Sequence, residues 1–421
     1  MSDAKQHIAV IGSGISGLYS AFLLSQKYHV SVFEKNSEIG GHTATKKVSV
    51  DSGDYSIDTG FIVYNDRTYP NFIRLLNQLG VEGQNTEMGF SVSCQHTGYE
   101  YAGTSIAGLF AQRKNIFKRA HWRLLRDIVR FNNLCSSLYQ RLPLSDRRTL
   151  GEFLRQESFS KELVAYYILP MVSAIWSSGT AIAEQMPLAF FVRFFHNHGL
   201  LSIFDQPQWK TVRGGSNQYL APLIAPFVNQ ITTDARIRAV QRAEAGVDIH
   251  FDDNSVKSFD AVVMACHSDE ALGLLHSPSA AEKTVLGAIT YKPNQVVLHT
   301  DNTILPTQKA AWASWNYKLE SDTDTQTLLT YNMNILQNIR APETFCVSVN
   351  PGDRLDTRKV LGEYQYHHPV FTRESIAAQQ QWQQVSGADR IYYCGAYWRN
   401  GFHEDGVVSA LKVAQQLGVT P

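Results

Sequence analysis

Little in this chain points to a simple binding module, and several absences narrow its class. Net charge is missing: 38 Lys and Arg balance 38 Asp and Glu over 421 residues. The chain as a whole therefore lacks the basic footprint of a nucleic-acid binder. Cysteine is scarce, with five residues at 94, 135, 266, 346 and 394 and no C-x-x-C pair. That odd, scattered set argues against a disulfide frame and against a zinc site, and it predicts a reducing, cytoplasmic setting. No metal is expected. No uninterrupted apolar run of about 18 residues occurs, so a spanning helix is not expected. His7 already opens an apolar run, which leaves no room ahead of it for a secretory signal peptide. Internal repeats and low-complexity tracts are also absent.

What is present is concentrated at the two ends. His7-Ile8-Ala9-Val10-Ile11 is suited to a buried parallel strand. It runs into Gly12-Ser13-Gly14-Ile15-Ser16-Gly17. In this pattern Gly12 serves the tight turn, Gly14 lets backbone approach a pyrophosphate, and Gly17 lets a helix pack on the strand. The helix from Leu18 onward directs its N-terminal N–H groups at the phosphates. A second strand, His29 to Phe33, ends in Glu34, followed by Lys35, at the distance where a ribose hydroxyl is gripped. A carboxylate there disfavours the 2′-phosphate of NADP. NAD and FAD fit these features equally well. The residues that follow separate them: Ile39-Gly40-Gly41-His42, then Ile57-Asp58-Thr59-Gly60-Phe61. Paired glycines in a strand-loop let backbone pass close to a flat ring or a phosphate.

Glu34 with Gly40-Gly41-His42 and Asp58-Thr59-Gly60 resembles the flavin amine oxidase and phytoene desaturase superfamily. Three further stretches narrow the resemblance: Phe61 to Asn71, Ala313-Ser314-Trp315-Asn316, and Gly401-Phe402-His403-Glu404-Asp405-Gly406. Together they are similar to one branch, the FAD domain of plant cyclopropane fatty acid synthases and its stand-alone bacterial relatives. The resemblance implies an α/β fold in which a Rossmann-type FAD-binding domain is interwoven with an α+β substrate domain. Matching breaks place the FAD domain at 1–85, 206–274 and 386–421. The substrate domain takes 86–205 and 275–385, with a helical insertion over about 105–205. Strands are expected at Val296 to Thr300, Ala311 to Tyr317, Thr327 to Asn332 and Thr344 to Val349, and a closing helix at Val407 to Leu417.

At the C-terminal end the resemblance implies that Gly395 lies beside the pyrophosphate and ribityl chain. The closing helix would aim its N-terminus at the flavin C2 carbonyl, where the dipole stabilises negative charge on the reduced ring. Gly406, Val407 and Val408 would supply the N–H groups, and Glu404 and Asp405 would lie close by. A plainer reading makes Asp405 only the helix cap. FAD is expected to be held non-covalently, because no cysteine or histidine is evidently placed for attachment. Candidates for proton handling are His299, Tyr331 and His403. Lys292 could hold a water near N5, as a lysine does in amine oxidases. Each has a structural alternative. Tyr397 and Trp398 could form an aromatic cage around an amine or flank an alkene.

Two remaining features bear on the substrate. Residues 113 to 130 carry Arg113, Lys114, Lys118, Arg119, Arg123, Arg126 and Arg130 against Asp127 alone, interleaved with apolar residues. Such a segment suits an anionic lipid surface or a solvated helix face. Residues 163 to 192 hold one charge, Glu184, and would form core or line an acyl tunnel. Four functions follow as expectations, the last in rank a carotenoid-type desaturase. The first is an FAD-dependent oxidoreductase that dehydrogenates a fatty acyl chain of a phospholipid. The second is an amine oxidase releasing hydrogen peroxide. The third is a flavoprotein partner of a lipid methyltransferase or cyclopropane synthase. The expected location is cytoplasmic, peripheral on the inner membrane face.

Overall fold

The apolar run His7–Ile11 is the centre of a five-stranded parallel sheet. It pairs in register with His29–Phe33 on one side and Ala261–Met264 on the other. Ile231–Thr232 extends the sheet beyond the first neighbour and Ile391–Tyr393 beyond the second. Ala9, Val10, Val32, Val262 and Val263 are fully buried, as expected of parallel strands covered on both faces. In the computed structural model, which describes residues 5–143, 146–176, 180–201, 206–320 and 328–420, helix Ile15–Leu24 covers one face. The last helix, His403–Gln416, packs along it. The two meet at Gly406: a Cβ there would lie 2.8 Å from Ile15 Cγ2 and 2.9 Å from Ser16 Oγ. The two ends of the chain are thereby packed into one unit.

A second, seven-stranded sheet carries the other half of the molecule. Its order is Val360–Pro369, Tyr291–His299, Cys346–Val349, Leu329–Asn332, Trp315–Leu319, Phe90–Cys94 and Tyr99–Ala102. All pairs are antiparallel except Trp315–Leu319 with Phe90–Cys94. Helices Arg119–Arg141, Leu150–Gln156, Leu169–Trp176 and Leu188–Asn197 pack beside it. Their shared core is aromatic, with Phe131, Phe153, Phe191 and Phe195 buried together.

The structure revises several expected boundaries. The strand expected at Ala311 begins at Trp315, because Asn316 folds its side chain back onto the chain. Its Oδ1 accepts from Ala313 N at 3.0 Å and its Nδ2 donates to Ala313 O at 2.6 Å. Thr327, the expected start of the next strand, lies outside the described residues. The basic stretch is not one helix: a short 3-10 turn, Arg113–Phe117, precedes helix Arg119–Arg141. The strand Val360–Pro369, absent from the sequence reading, forms the sheet edge along Tyr291–His299. No helix among the described residues is long and apolar enough to cross a membrane.

Candidate active site

A single cavity of about 1670 Å³ runs from the glycine turn to the helical region. Its polar end is built by the loops at the carboxyl ends of the parallel strands, the usual ligand position in such sheets. Gly12, Gly14, Ile15, Ser16, Glu34, Lys35, Gly40, Gly41, His42, Thr59, Gly60 and Phe61 all line it. Gly17 does not; a Cβ there would sit 2.0 Å from Gly12 O, so its role is close packing of helix on turn. At Gly14 the opposite holds: nothing lies within 4 Å of a would-be Cβ. The room a side chain would fill is open to the cavity. That is the cradle a pyrophosphate requires.

Glu34 is buried and densely bonded. Its Oε2 accepts from Ser13 N at 3.0 Å and Ser13 Oγ at 2.6 Å; its Oε1 accepts from Asn36 N at 2.9 Å and Asn36 Nδ2 at 2.8 Å. Two of these donors are backbone and fixed. The other two, the Ser13 hydroxyl and the Asn36 amide, are side-chain groups that a pair of ribose hydroxyls can replace. The polar end thus fits an adenine dinucleotide.

The closing helix departs from expectation. It starts at His403, not Val407. Gly406 N donates to Phe402 O at 3.1 Å within the helix, and Val407 lies a further residue inside it. The unused N–H groups at this terminus are therefore those of His403, Glu404 and Asp405, rather than of Gly406, Val407 and Val408. Glu404, Asp405, Gly406 and Val407 are not on the cavity wall, whereas Phe402 and His403 are. Asp405 sits inside the first turn, where its Oδ2 accepts from Asn400 N at 3.2 Å and Phe402 N at 3.0 Å. It is the returning acid of a cap, not the cap residue. Burial pushes its carboxyl up to about 6. Glu404 serves another helix: its carboxylate accepts from Asn71 N, Asn71 Nδ2 and Phe72 N at 3.2, 2.6 and 2.8 Å, capping Pro70–Gln78.

The four proton-handling candidates separate. His403 stacks on Phe61 at 3.6 Å and its Nε2 bonds Thr43 Oγ1 at 3.1 Å and Tyr219 OH at 3.0 Å. Burial lowers it to about 3, so it is neutral and a structural wall group. Tyr331 is on the wall, edge-on to Trp315 at 5.2 Å, and burial raises its hydroxyl, so it stays protonated. His299 is not on the wall. Its Nε2 meets Ser348 Oγ at 2.8 Å and its Nδ1 accepts from Asp301 N at 3.1 Å, which makes it a satisfied core histidine. Lys292 is half-buried, paired across the sheet with His368, and off the wall. Of the expected aromatic cage, Tyr397 lines the cavity and Trp398 does not. Tyr397 instead faces Tyr291, with centroids 6.4 Å apart.

Sequence reading missed the imidazole cluster between the two ends. His42, His267, His367 and His368 all line the cavity. The His42 ring lies 5.5 Å from that of His368 and 6.3 Å from that of His267, which stacks on Tyr291 at 4.3 Å. Burial lowers His42, His267 and His368, the last to about 4. Asn294 Nδ2 donates to His368 Nδ1 at 3.2 Å, which puts the ring proton on Nε2. His42 Nε2 has no partner among the described residues. Two signals pointed here: His267 comes three residues after the buried parallel strand Ala261–Met264, and His367-His368 precedes Pro369.

A dinucleotide cleft that opens onto a substrate cavity between a parallel and a mixed sheet defines a cofactor-dependent oxidoreductase. Residues 15–357 match the family of flavin containing amine oxidoreductases, and the chain belongs to that family. FAD is its cofactor, and the polar end has the features that fit it. Solved structures similar to the chain include putrescine oxidase bound to putrescine (14% identity, TM-score 0.70, 98% of each chain). Cyclohexylamine oxidase from Brevibacterium oxydans IH-35A is similar at 15% identity and TM-score 0.68, over 98% of this chain and 100% of that one. A CLA-producing fatty acid isomerase from P. acnes aligns at 14% identity and TM-score 0.71, over 99% of each. At these identities the likeness is one of fold. Comparison with curated protein sequences gives no match.

Proposed function

We propose that the chain dehydrogenates a fatty acyl chain, carried on a phospholipid, at a C–H beside a methyl branch or an existing double bond. The observation that carries this reading is the apolar end of the cavity. Leu109, Leu125, Ile128, Met171, Phe194 and Leu200 line it. The whole space exceeds the roughly 300–1,000 Å³ of an ordinary small-molecule site, so it has room for a cofactor and an extended apolar guest. Bound FAD supplies the hydride acceptor, N5.

The chain's own residues do the rest. The apolar end strips water from the guest and holds it straight. Trp315, Tyr331 and Tyr397 line the wall and offer flat faces that orient the reacting carbon. A proton must also leave when a double bond forms. The neutral imidazoles are the groups on the wall suited to take it, and His42 Nε2 has no competing partner. An amine would meet a poorer site. The acids on the wall are Glu34, Glu87 and Glu270. Glu34 belongs to the dinucleotide end and already accepts four hydrogen bonds, and Glu270 is paired with Lys35. Glu87 is exposed, and an ammonium buried in the apolar end would lack a counter-charge.

The test is anaerobic bleaching of the oxidised flavin band. Host phospholipid should bleach it and yield a lipid two mass units lighter (about 2 Da). Bleaching by a panel of amines alone would instead assign an amine oxidase. No bleaching by either, with co-purification of a lipid methyltransferase, would make the chain a non-turning flavoprotein partner.

A further inference from the structure

We propose that the face formed by residues 103–130 docks on an anionic lipid bilayer and presses the cavity mouth against it. The proposal deepens the acyl-chain reading but stands on separate observations. Seven large apolar side chains are exposed among the described residues, and five of them fall in this stretch. They are Ile106 at 78%, Phe117 at 88%, Trp122 at 52%, Val129 at 46% and Ile116 at 45% exposed. Trp122 Nε1 donates to Ile116 O at 2.8 Å, which ties the turn Arg113–Phe117 to the following helix. Trp122, Arg126 and Val129 then follow one face of that helix at spacings of four and three residues.

Charge is concentrated on the same surface. A chain with no net charge places seven cations against one acid between 113 and 130. That acid, Asp127, is buried and accepts from Ser160 N at 3.2 Å. Arg113, Lys114 and Arg119 are exposed and have no ion pair among the described residues. Cations interleaved with Phe, Trp and Ile tips match a bilayer interface, where the tips enter the acyl boundary and the cations meet phosphate. Nucleic acid or an acidic protein would use the cations and leave Ile106 and Phe117 in water.

Position gives the surface its use. Thr104, Ser105 and Val129 are exposed, yet all three also line the cavity. Leu125 and Ile128, on the inward side of the same helix, line it as well. The cavity therefore has an opening between the 103–109 segment and the basic helix, on the stretch that carries the exposed apolar tips. An acyl chain lifted from a docked bilayer would pass from lipid to cavity without crossing water.

The experiment is co-sedimentation of the FAD-loaded protein with vesicles of phosphatidylcholine alone or mixed with phosphatidylglycerol. Binding to the anionic vesicles should be at least tenfold tighter and should weaken with salt. Ile106→Ser with Phe117→Ser, and separately Arg113→Glu with Lys114→Glu, should each lose at least tenfold while thermal melting stays unchanged. Equal binding to both vesicles, or none, would overturn the proposal. So would loss in the charge variant with full binding by the Ile106/Phe117 variant, which marks simple counter-ion attraction. Bleaching by a monomeric short-chain acyl substrate should be the same in all variants. Docking without any acyl bleaching would sink the substrate reading alone, and bleaching without docking would sink this proposal alone.

Discussion

Gly14 and Glu34 show what single residues settle. The backbone at Gly14, the residue just before the first helix, is extended, with an ordinary negative φ of −67°, and has open space beside it. A side chain there harms nothing in the bare fold and occupies the pyrophosphate's place. Gly14→Val should therefore fold with unchanged circular dichroism and purify colourless. A yellow protein with normal flavin content would place the pyrophosphate elsewhere. Both residues were legible in the sequence because their spacing is dictated by the cofactor, not by packing. His42 was legible as a cofactor contact, but its meeting with His267 was not. The imidazoles come together only after three separate segments have been assembled, and no local pattern encodes that meeting. His299 was the converse case: a histidine on a strand has no sequence mark that tells wall from core, and Ser348 and Asp301 decide it.

At the scale of elements, Glu404 links the last helix to Pro70–Gln78. That helix has no side-chain cap of its own, so the carboxylate of Glu404 supplies the acceptor for its first N–H groups. Glu404→Ala should cost about 1–2 kcal/mol by loss of a charge-assisted cap, read as a fall in the denaturation midpoint. An unchanged midpoint would show that water replaces the carboxylate. The sequence marked this region as a helix start but placed that start four residues late. His403-Glu404-Asp405-Gly406 reads as a polar cap followed by a glycine, and burial alone reveals it as the first turn. The missed strand Val360–Pro369 has a different cause. It lies at a sheet edge, its residues alternate between half-buried and exposed, and its composition lacks the apolar contrast on which strand reading depends. The parallel strands were legible for the opposite reason: both faces are covered, so their sequences are continuous apolar runs.

Across the whole molecule, buried imidazoles set the response to acid. His198, His299 and His368 are lowered to about 4 and His403 to about 3, all chiefly by burial, against an ordinary 6.5. Between those values the unfolded chain binds protons that the folded one refuses. Their contribution is complete above about pH 6.5 and is lost as pH falls toward about 4. Asp58 and Asp405 oppose this trend. Burial raises both to about 6 from 3.8, so they favour the fold at low pH and lose that effect as pH rises through about 6. Four imidazoles outweigh two carboxyls, and above about pH 6 they act almost alone. The melting temperature should fall from about pH 7 to about pH 5. His198→Gln should make that fall shallower, by about 2 kcal/mol of stability over the same range. A melting temperature that rises on acidification would reverse the assignment.

The packing of the last helix on the first has a consequence for synthesis on the ribosome. The central strand His7–Ile11 is made first, yet one of its neighbours is Ala261–Met264 and the sheet is finished only by Ile391–Tyr393. For most of translation the first strand has an unpaired edge, which is a site for mispairing. The helices between 119 and 197 pack largely on one another and can consolidate earlier. The flavin compartment is therefore complete only after Ile391–Tyr393 has been made. A chain stopped before residue 391 should hold no FAD, and free FAD should act as a folding ligand that draws His7–Ile11 and Ile391–Tyr393 into one unit.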